Sequence, residues 1–544
     1  MRIFSTNDFG TATQLWRLLP TLGAPSTWSI LFVVGLFGIA IVPALGNAQS
    51  LPTEQQGVQP VVAPITAWRF TPQIRVEETY TDNGELVPST MARKNWISDS
   101  ALGIRIEKTG VRSRVFFDYR LHNFRYSKNT RLNNTQRLLN SYLTVAAIDT
   151  WLYVDASANI TQQNRSAFGV AAATDASGTN GNRIETTTNQ LSPHIRGNVA
   201  GIAAYQLRFV GADIRSNDAA LPDTKGKQWT GFMRSESVGS GFGWSVDGSA
   251  ISFRNKIVGT AHDERVRASL SYAFSSQIHI SAIGGSEATN FAGTRNGERT
   301  SGLGLEWSPG ARTQFAAVKE KRFFGESHSV SFSHRTALTA WKFTSTKDVS
   351  SFSGQLSGGG GGSTASLLSE LLVSAIPDPI AREAAVRQQL EASGIAGNTV
   401  LGGSFATGRA FIIRNDEASA ALRGVYNTVT LTFSRRDQRG FGPATAGTDS
   451  FSLSNDIRQE GVNVNWAYRF SPLSSLSLVA TSLRTEGLST SGLSATQRSL
   501  NLLFSTRIGL NTYASLGARR VIFENSSNTG YRENAILGSV SLRY

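Results

Sequence analysis

ENAILGSVSLRY, residues 533–544, closes the chain. Ile536, Gly538, Val540, Leu542 and Tyr544 fall on one side of it, and Ser539, Ser541 and Arg543 on the other. A period of two with one apolar and one polar face is the pattern of a β-strand between two unlike environments. The same alternation recurs from residue 66 onward. Trp68, Phe70, Ile74 and Val76 oppose Arg69, Thr71, Gln73, Arg75 and Glu77. Val266, Ala268, Leu270, Tyr272 and Phe274 oppose Arg265, Arg267, Ser269 and Ser271. Val462, Val464, Trp466, Tyr468 and Phe470 oppose Asn463, Asn465 and Arg469. Strands of about 9–11 residues are long enough for a tilted membrane crossing.

Connections between these segments also alternate in length. Tight turns are expected at Asp149–Thr150, Ser275–Gln277, Ser308–Gly310, Ser471–Ser474 and Gly509–Asn511. Between them lie long polar stretches at 81–99, 163–190, 213–227, 436–456 and 524–532. Short turns at one end and long loops at the other are how membrane β-barrels are built. An open sheet edge in lipid would leave backbone N–H and C=O groups unpaired, so the sheet must close. The expected fold is all-β: a transmembrane antiparallel β-barrel of about 22 strands, range roughly 18–24, with a short helical insertion.

Composition agrees. Among 544 residues there are 52 Gly, 15 Pro, 3 Met and no Cys. That excludes disulfides, thiolate metal sites and thiol catalysis. The net charge of +14 comes from basic residues scattered singly rather than in runs, so no nucleic-acid partner is expected. Residues 28–42, WSILFVVGLFGIAIV, follow Arg2 and Arg17 and precede Gly46 and Ala48. This reads as a signal peptide over 1–48, cleaved near Ala48, with a periplasmic lead-in over 49–65 and an outer-membrane barrel over 66–544. The lead-in leaves no room for a separate plug domain or periplasmic repeats. An aromatic last residue on an alternating strand resembles the C-terminal signal read by barrel-assembly machinery, carried here by Ile536, Gly538, Val540, Leu542 and Tyr544. Outer-membrane lipid and that machinery are the first expected partners.

The pattern breaks at 350–404. SGGGGGS, 357–363, is a linker. Leu367, Leu368, Leu371 and Leu372 within 364–376 have helical spacing. A second helix starts at Asp378-Pro379 and stops at Gly394, with Glu383–Arg387 and Arg387–Glu391 as helical charge pairs. The plain reading is a helical excursion in an outer loop. A partial plug in the lumen and a docking element for a partner are the alternatives.

The polar face is rich in arginine: Arg69, Arg75, Arg105, Arg114, Arg120, Arg208, Arg265, Arg267, Arg469 and Arg543, against Glu77, Glu107, Asp118, Asp155 and Asp247. Charged rings select ions by sign, so this face suggests a lumen that favours anions, such as an anionic polysaccharide. The competing reading is that these arginines brace the wall through ion pairs with the acids. The six histidines form no HExxH, no GxSxG elbow is present, and no cofactor, metal site or catalytic residue is expected.

Three segments carry a family resemblance: PQIRVEETYTDN (72–83) after Trp68, IPDPIAREAAVRQQLEASGI (376–395) and ALRGVYNTVTLTFSRRDQR (421–439). In order and spacing they resemble the outer-membrane proteins associated with the PEP-CTERM (exosortase) system. The resemblance implies a barrel working in Gram-negative bacteria beside exosortase sorting and exopolysaccharide production, with export-system proteins as further partners. The leading expectation is a porin-like pore or export component, not an enzyme. A closed structural or docking barrel is the alternative, and an outer-membrane hydrolase a distant third.

Overall fold

The computed structural model describes residues 68–172, 181–199, 201–218, 223–235, 241–256, 259–291, 296–350, 364–373, 376, 378–392, 405, 407–441, 449–490 and 492–544. The expected signal peptide, the lead-in and the glycine linker lie outside these residues. Twenty-two strands form one sheet, from β1 (Arg69–Thr81) to β22 (Tyr531–Arg543). Each strand pairs antiparallel with its sequence neighbours. β1 also pairs with β22, from Gln73↔Arg543 to Thr81↔Ala535, so the sheet is a closed barrel without edges. The architecture and the strand number are those expected from the alternation.

Alternation decides which face meets which environment. On β1, Phe70, Ile74, Val76 and Tyr80 are exposed on the outside, whereas Glu77, Thr79 and Thr81 are buried within. On β10 (Gly259–Ala273), Val266 and Leu270 are more than half exposed and Asp263 is buried. Apolar side chains left bare on a closed wall are the lipid-facing surface of a membrane-spanning barrel. Trp68, Phe70, Trp151, Phe274, Trp307, Trp341, Phe470 and Tyr544 crowd one margin of that surface, as an interfacial aromatic girdle requires. No described helix is long and apolar enough to cross a membrane.

Strand ends define a turn end and a loop end. At the turn end the chain reverses at 110–112, 149–151, 274–277, 470–473 and 508–511. Thr150 takes a left-handed φ of 79° at one of these reversals. The turn expected at Ser308–Gly310 is instead the last part of β12 (Asn296–Gly310). A register shift between Trp307 and Gly310 absorbs Pro309, since a proline has no N–H for the ladder and is accommodated at a bulge. At the loop end most connections are long, but 256–258 and 323–324 are as short as any turn.

A closing seam joins β1, β21 (Thr512–Asn525) and β22. Arg519 donates to Glu533 at 2.8 Å, and Thr81 Oγ1 donates to the same Glu533 at 3.0 Å. The two charged side chains are 2% and 3% exposed. A buried pair of this kind stabilises little net, but losing one partner strands the other.

Candidate functional site

Strand spacing of about 4.8 Å and a tilt near 40° give 22 strands a backbone diameter of roughly 40 Å. Side chains alone fill a barrel of about eight strands, not one of this width. The interior is therefore the functional space, and its contents are the site.

The insertion between β15 (Thr339–Val349) and β16 (Phe411–Arg423) enters that space. Its two ends stand together at the loop end, where Ser350 N–H donates to Phe411 O at 2.7 Å. Its helices α1 (Thr364–Leu372) and α2 (Pro379–Ala392) finish at the opposite, turn end. Leu367, Leu368, Leu371 and Leu372 of α1 join Val386 and Leu390 of α2 in one buried cluster with Ala340 and Ala421. Ala340 and Ala421 are paired across β15 and β16 near the turn end, and both face inward. Two methyl side chains side by side leave a shallow seat that larger residues would fill, so the leucine face can settle against the wall. Arg382 ties the helices together, donating to Ser369 Oγ at 3.1 Å and Ile376 O at 3.0 Å.

The far side of α2 meets a different wall, made by β2 (Asn95–Thr109), β3 (Ser113–Tyr126) and β4 (Asn134–Ile148). Glu383 pairs with Arg114 and accepts from Tyr142 Oη at 3.4 Å. Arg387 pairs with Glu107 at 3.2 Å and lies 4.7 Å from the centre of the Phe116 ring. β4 and β15 lie opposite each other in the ring of 22 strands. The helix pair thus spans the lumen near its turn-end mouth, greasy on one wall and ionic on the other. The outer-loop excursion is corrected: the insertion starts at the loop end, but its helices are inside. The expected Glu383–Arg387 pair is present at 3.9 Å, while the Glu391 side chain lies outside the described residues.

The inward arginines are mostly engaged. Asp118 takes both Arg105, at 2.8 Å, and Arg120, at 3.1 Å. Asp155 takes Arg208 at 2.7 Å, and Arg267 bridges Asp247 at 2.9 Å and Glu320 at 2.8 Å. Arg75 pairs with Glu77, and Arg114 with Glu383 of α2. Arg265 occupies the inward register between Asp263 and Arg267. Arg469 donates to Val425 O at 3.2 Å, and Arg543 lies 5.2 Å from the centre of the Tyr513 ring. Arg69 is exposed at the turn end, with no ion pair among the described residues. Acids outside the original set also face inward, among them Asp99, Glu287 and Glu417. Arg322 is buried between Glu287 and Asp348. Six of the ten arginines, Arg75, Arg105, Arg114, Arg120, Arg208 and Arg267, are thus set against acids. Ile536, Val540 and Tyr544 of the C-terminal segment point outward beside β1.

Loops fold over the other mouth. Phe168, Phe405, Phe411, Phe451 and Ile457 form a buried cluster contributed by three connections and their strands. Phe441 sits between Phe291 and Phe323, 5.7 Å from each. Tyr531 Oη donates to Ala171 O at 2.7 Å, and Gln497 Nε2 to Ala172 O at 3.2 Å. Among the described residues no group of three or more His, Cys, Asp or Glu is placed to hold a metal ion.

No family model and no curated relative matches the chain. Solved structures that align with it include the FrpB iron transporter from Neisseria meningitidis, with 8% identity over 87% of this chain and 82% of that one, TM-score 0.45. The siderophore receptor PirA from Acinetobacter baumannii aligns with 7% identity over 89% and 81%, TM-score 0.47. OccK2 (OpdF) from Pseudomonas aeruginosa aligns with 10% identity over 88% and 98%, TM-score 0.33.

Proposed function

We propose that this chain is a gated conduit of the outer membrane, with α1 and α2 as its resident plug. One observation carries the reading: a helix pair from a single insertion lies inside a barrel roughly 40 Å wide and touches both of its opposite walls. A purely structural barrel needs far fewer strands, and a plug has a purpose only where an open lumen would leak. The exposed apolar wall supports the membrane, and the long loops at one end with short turns at the other support the orientation, turn end to the periplasm. The resemblance to the PEP-CTERM-associated proteins supports a role beside exopolysaccharide or exosortase systems, with an anionic polysaccharide or an exported protein as cargo.

A second reading, a permanently closed docking barrel, draws on the aromatic packing at the loop end. Bilayer recording separates the two. The ends of β15 and β16 already meet at Ser350 and Phe411, so residues 352–409 can be replaced by Asn-Gly as a tight hairpin. The intact protein is expected to be closed or flickering, and the shortened one to conduct steadily. No conductance from either form would refute the conduit.

A further inference from the structure

The outer wall carries a feature that neither the lumen nor the plug explains. Near the loop end, Lys225 and Lys227 of β8 (Thr224–Ser235) and Arg254 of β9 (Phe242–Asn255) are exposed on the lipid-facing register. Lys225 and Arg254 are paired across the strands, and Lys227 pairs with Ser252, so the three heads share one small area. Among the described residues none of the three is in an ion pair; Arg254 Nε donates only to Thr260 Oγ1, at 3.1 Å. Some outward cations at this end are neutralised, as in Arg215–Asp213, Lys319–Glu326 and Arg414–Asp416, whereas Arg299, Lys321 and Arg498 are, like these three, in no ion pair among the described residues; what sets Lys225, Lys227 and Arg254 apart is the groove they share.

These cations rim a groove of about 750 Å³ in the outer wall; the one carboxylate among the described residues of its lining, Asp213 beside Lys225, is taken by Arg215 at 2.7 Å. Ala156 and Gly211 leave it shallow of side chains, and Leu191 and Phe209 give it an apolar flank. Two residues below Lys227 on the same face stands Trp229, half exposed and packed on Phe209 with ring centres 4.8 Å apart. An exposed tryptophan of this kind marks the interface between hydrocarbon and headgroups. The cations therefore sit at headgroup height, directly above an apolar slot. Unpaired cations over grease fit a molecule with acyl chains below and several negative charges above.

We propose that this groove holds a membrane lipid with a phosphorylated headgroup, its phosphates on Lys225, Lys227 and Arg254 and its chains along Leu191 and Phe209. A phosphate carries nearly two negative charges and strong acceptor oxygens, which suits lysine and arginine heads that have no carboxylate partner among the described residues. The inference rests on the membrane-spanning reading given above. Its test is native mass spectrometry of the detergent-purified full chain, titrated with diphosphoryl lipid A and with the same lipid stripped of phosphate. One diphosphoryl lipid per barrel is expected, with K225Q/K227Q/R254Q weakening it at least tenfold and R498Q, at an outward cation elsewhere, leaving it unchanged. Millimolar inorganic phosphate alone should not quench or shift Trp229 fluorescence. Equal binding by the triple variant, equal binding of the phosphate-free lipid, or a full Trp229 response to free phosphate overturns the proposal. Should the triple variant fail to fold, K227Q alone is expected to weaken the lipid about threefold, and no change there is equally fatal. A barrel that stays monomeric in buffer without detergent would instead overturn the membrane-spanning reading, which separates the two failures.

Discussion

The two anchors of the plug differ in strength, and that difference can be measured. Leu368 and Leu371 are 2% and 5% exposed between the helices and the alanine seat. Truncating a buried leucine to alanine costs about 2–5 kcal/mol. Because the two are neighbours their costs do not add. A combined cost of about 4 kcal/mol for L368A/L371A, well short of twice the mid-range value, corresponds to roughly a thousandfold shift toward the released state. On the other wall, Arg114–Glu383 and Arg387–Glu107 involve side chains a quarter to nearly half exposed. Solvent screens such pairs to about 0.2–1 kcal/mol each, so E383Q/R387Q should shift release by at most about thirtyfold. The chain has no native cysteine, so a single thiol at Val386, which is 4% exposed, reports release by its maleimide labelling rate. The expected order is parent slowest, the charge variant modestly faster, the leucine variant fastest. A charge variant that labels faster than the leucine variant, or a parent thiol that labels like an exposed one, refutes the account of the anchors.

Three further outcomes are expected. E533A should lower the urea midpoint of unfolding by the equivalent of about 3–5 kcal/mol, because Arg519 is left buried without its carboxylate, whereas R519M/E533L should recover most of it. L270R, on the bare outer face, should destabilise the barrel by about 2–4 kcal/mol, while S269R on the inward register should be nearly neutral by the same assay; the reverse order would mean that the faces are misassigned. T150G should raise stability by about 1 kcal/mol, since it removes a β-branched side chain from a φ of 79°; an unchanged midpoint would mean that the turn is unstrained.

Much of the wall was legible because a strand's period is short and strict. Every reading of Trp68, Phe70, Ile74 and Val76 against Arg75 and Glu77 needs only their order. Pairs two residues apart on one face, such as Arg75–Glu77 and Arg120–Asp118, follow from the same rule. Pairs across strands do not. Arg267–Glu320 and Arg208–Asp155 depend on register between segments tens of residues apart, which no local pattern fixes. The insertion shows the same limit. Four leucines at helical spacing announce a buried face, and strand parity places the ends of the insertion, but neither says which wall the leucines meet. Ala340 and Ala421 are unremarkable alanines until the sheet pairs them. The outward cations do have a local signal: TKGKQW, 224–229, alternates Lys225 and Lys227 with small or neutral residues and ends on Trp229.

The two feet of the insertion stand side by side at one mouth while its helices rest at the other. That layout constrains the order of construction. The segment must travel the full height of the interior, and the lumen it crosses is fenced by β1 meeting β22, the last strand to be made. Threading is easiest while that fence is still open. The plug is thus best understood as furniture brought in before the final wall goes up, and a variant that seals too early would be expected to leave its helices stranded outside.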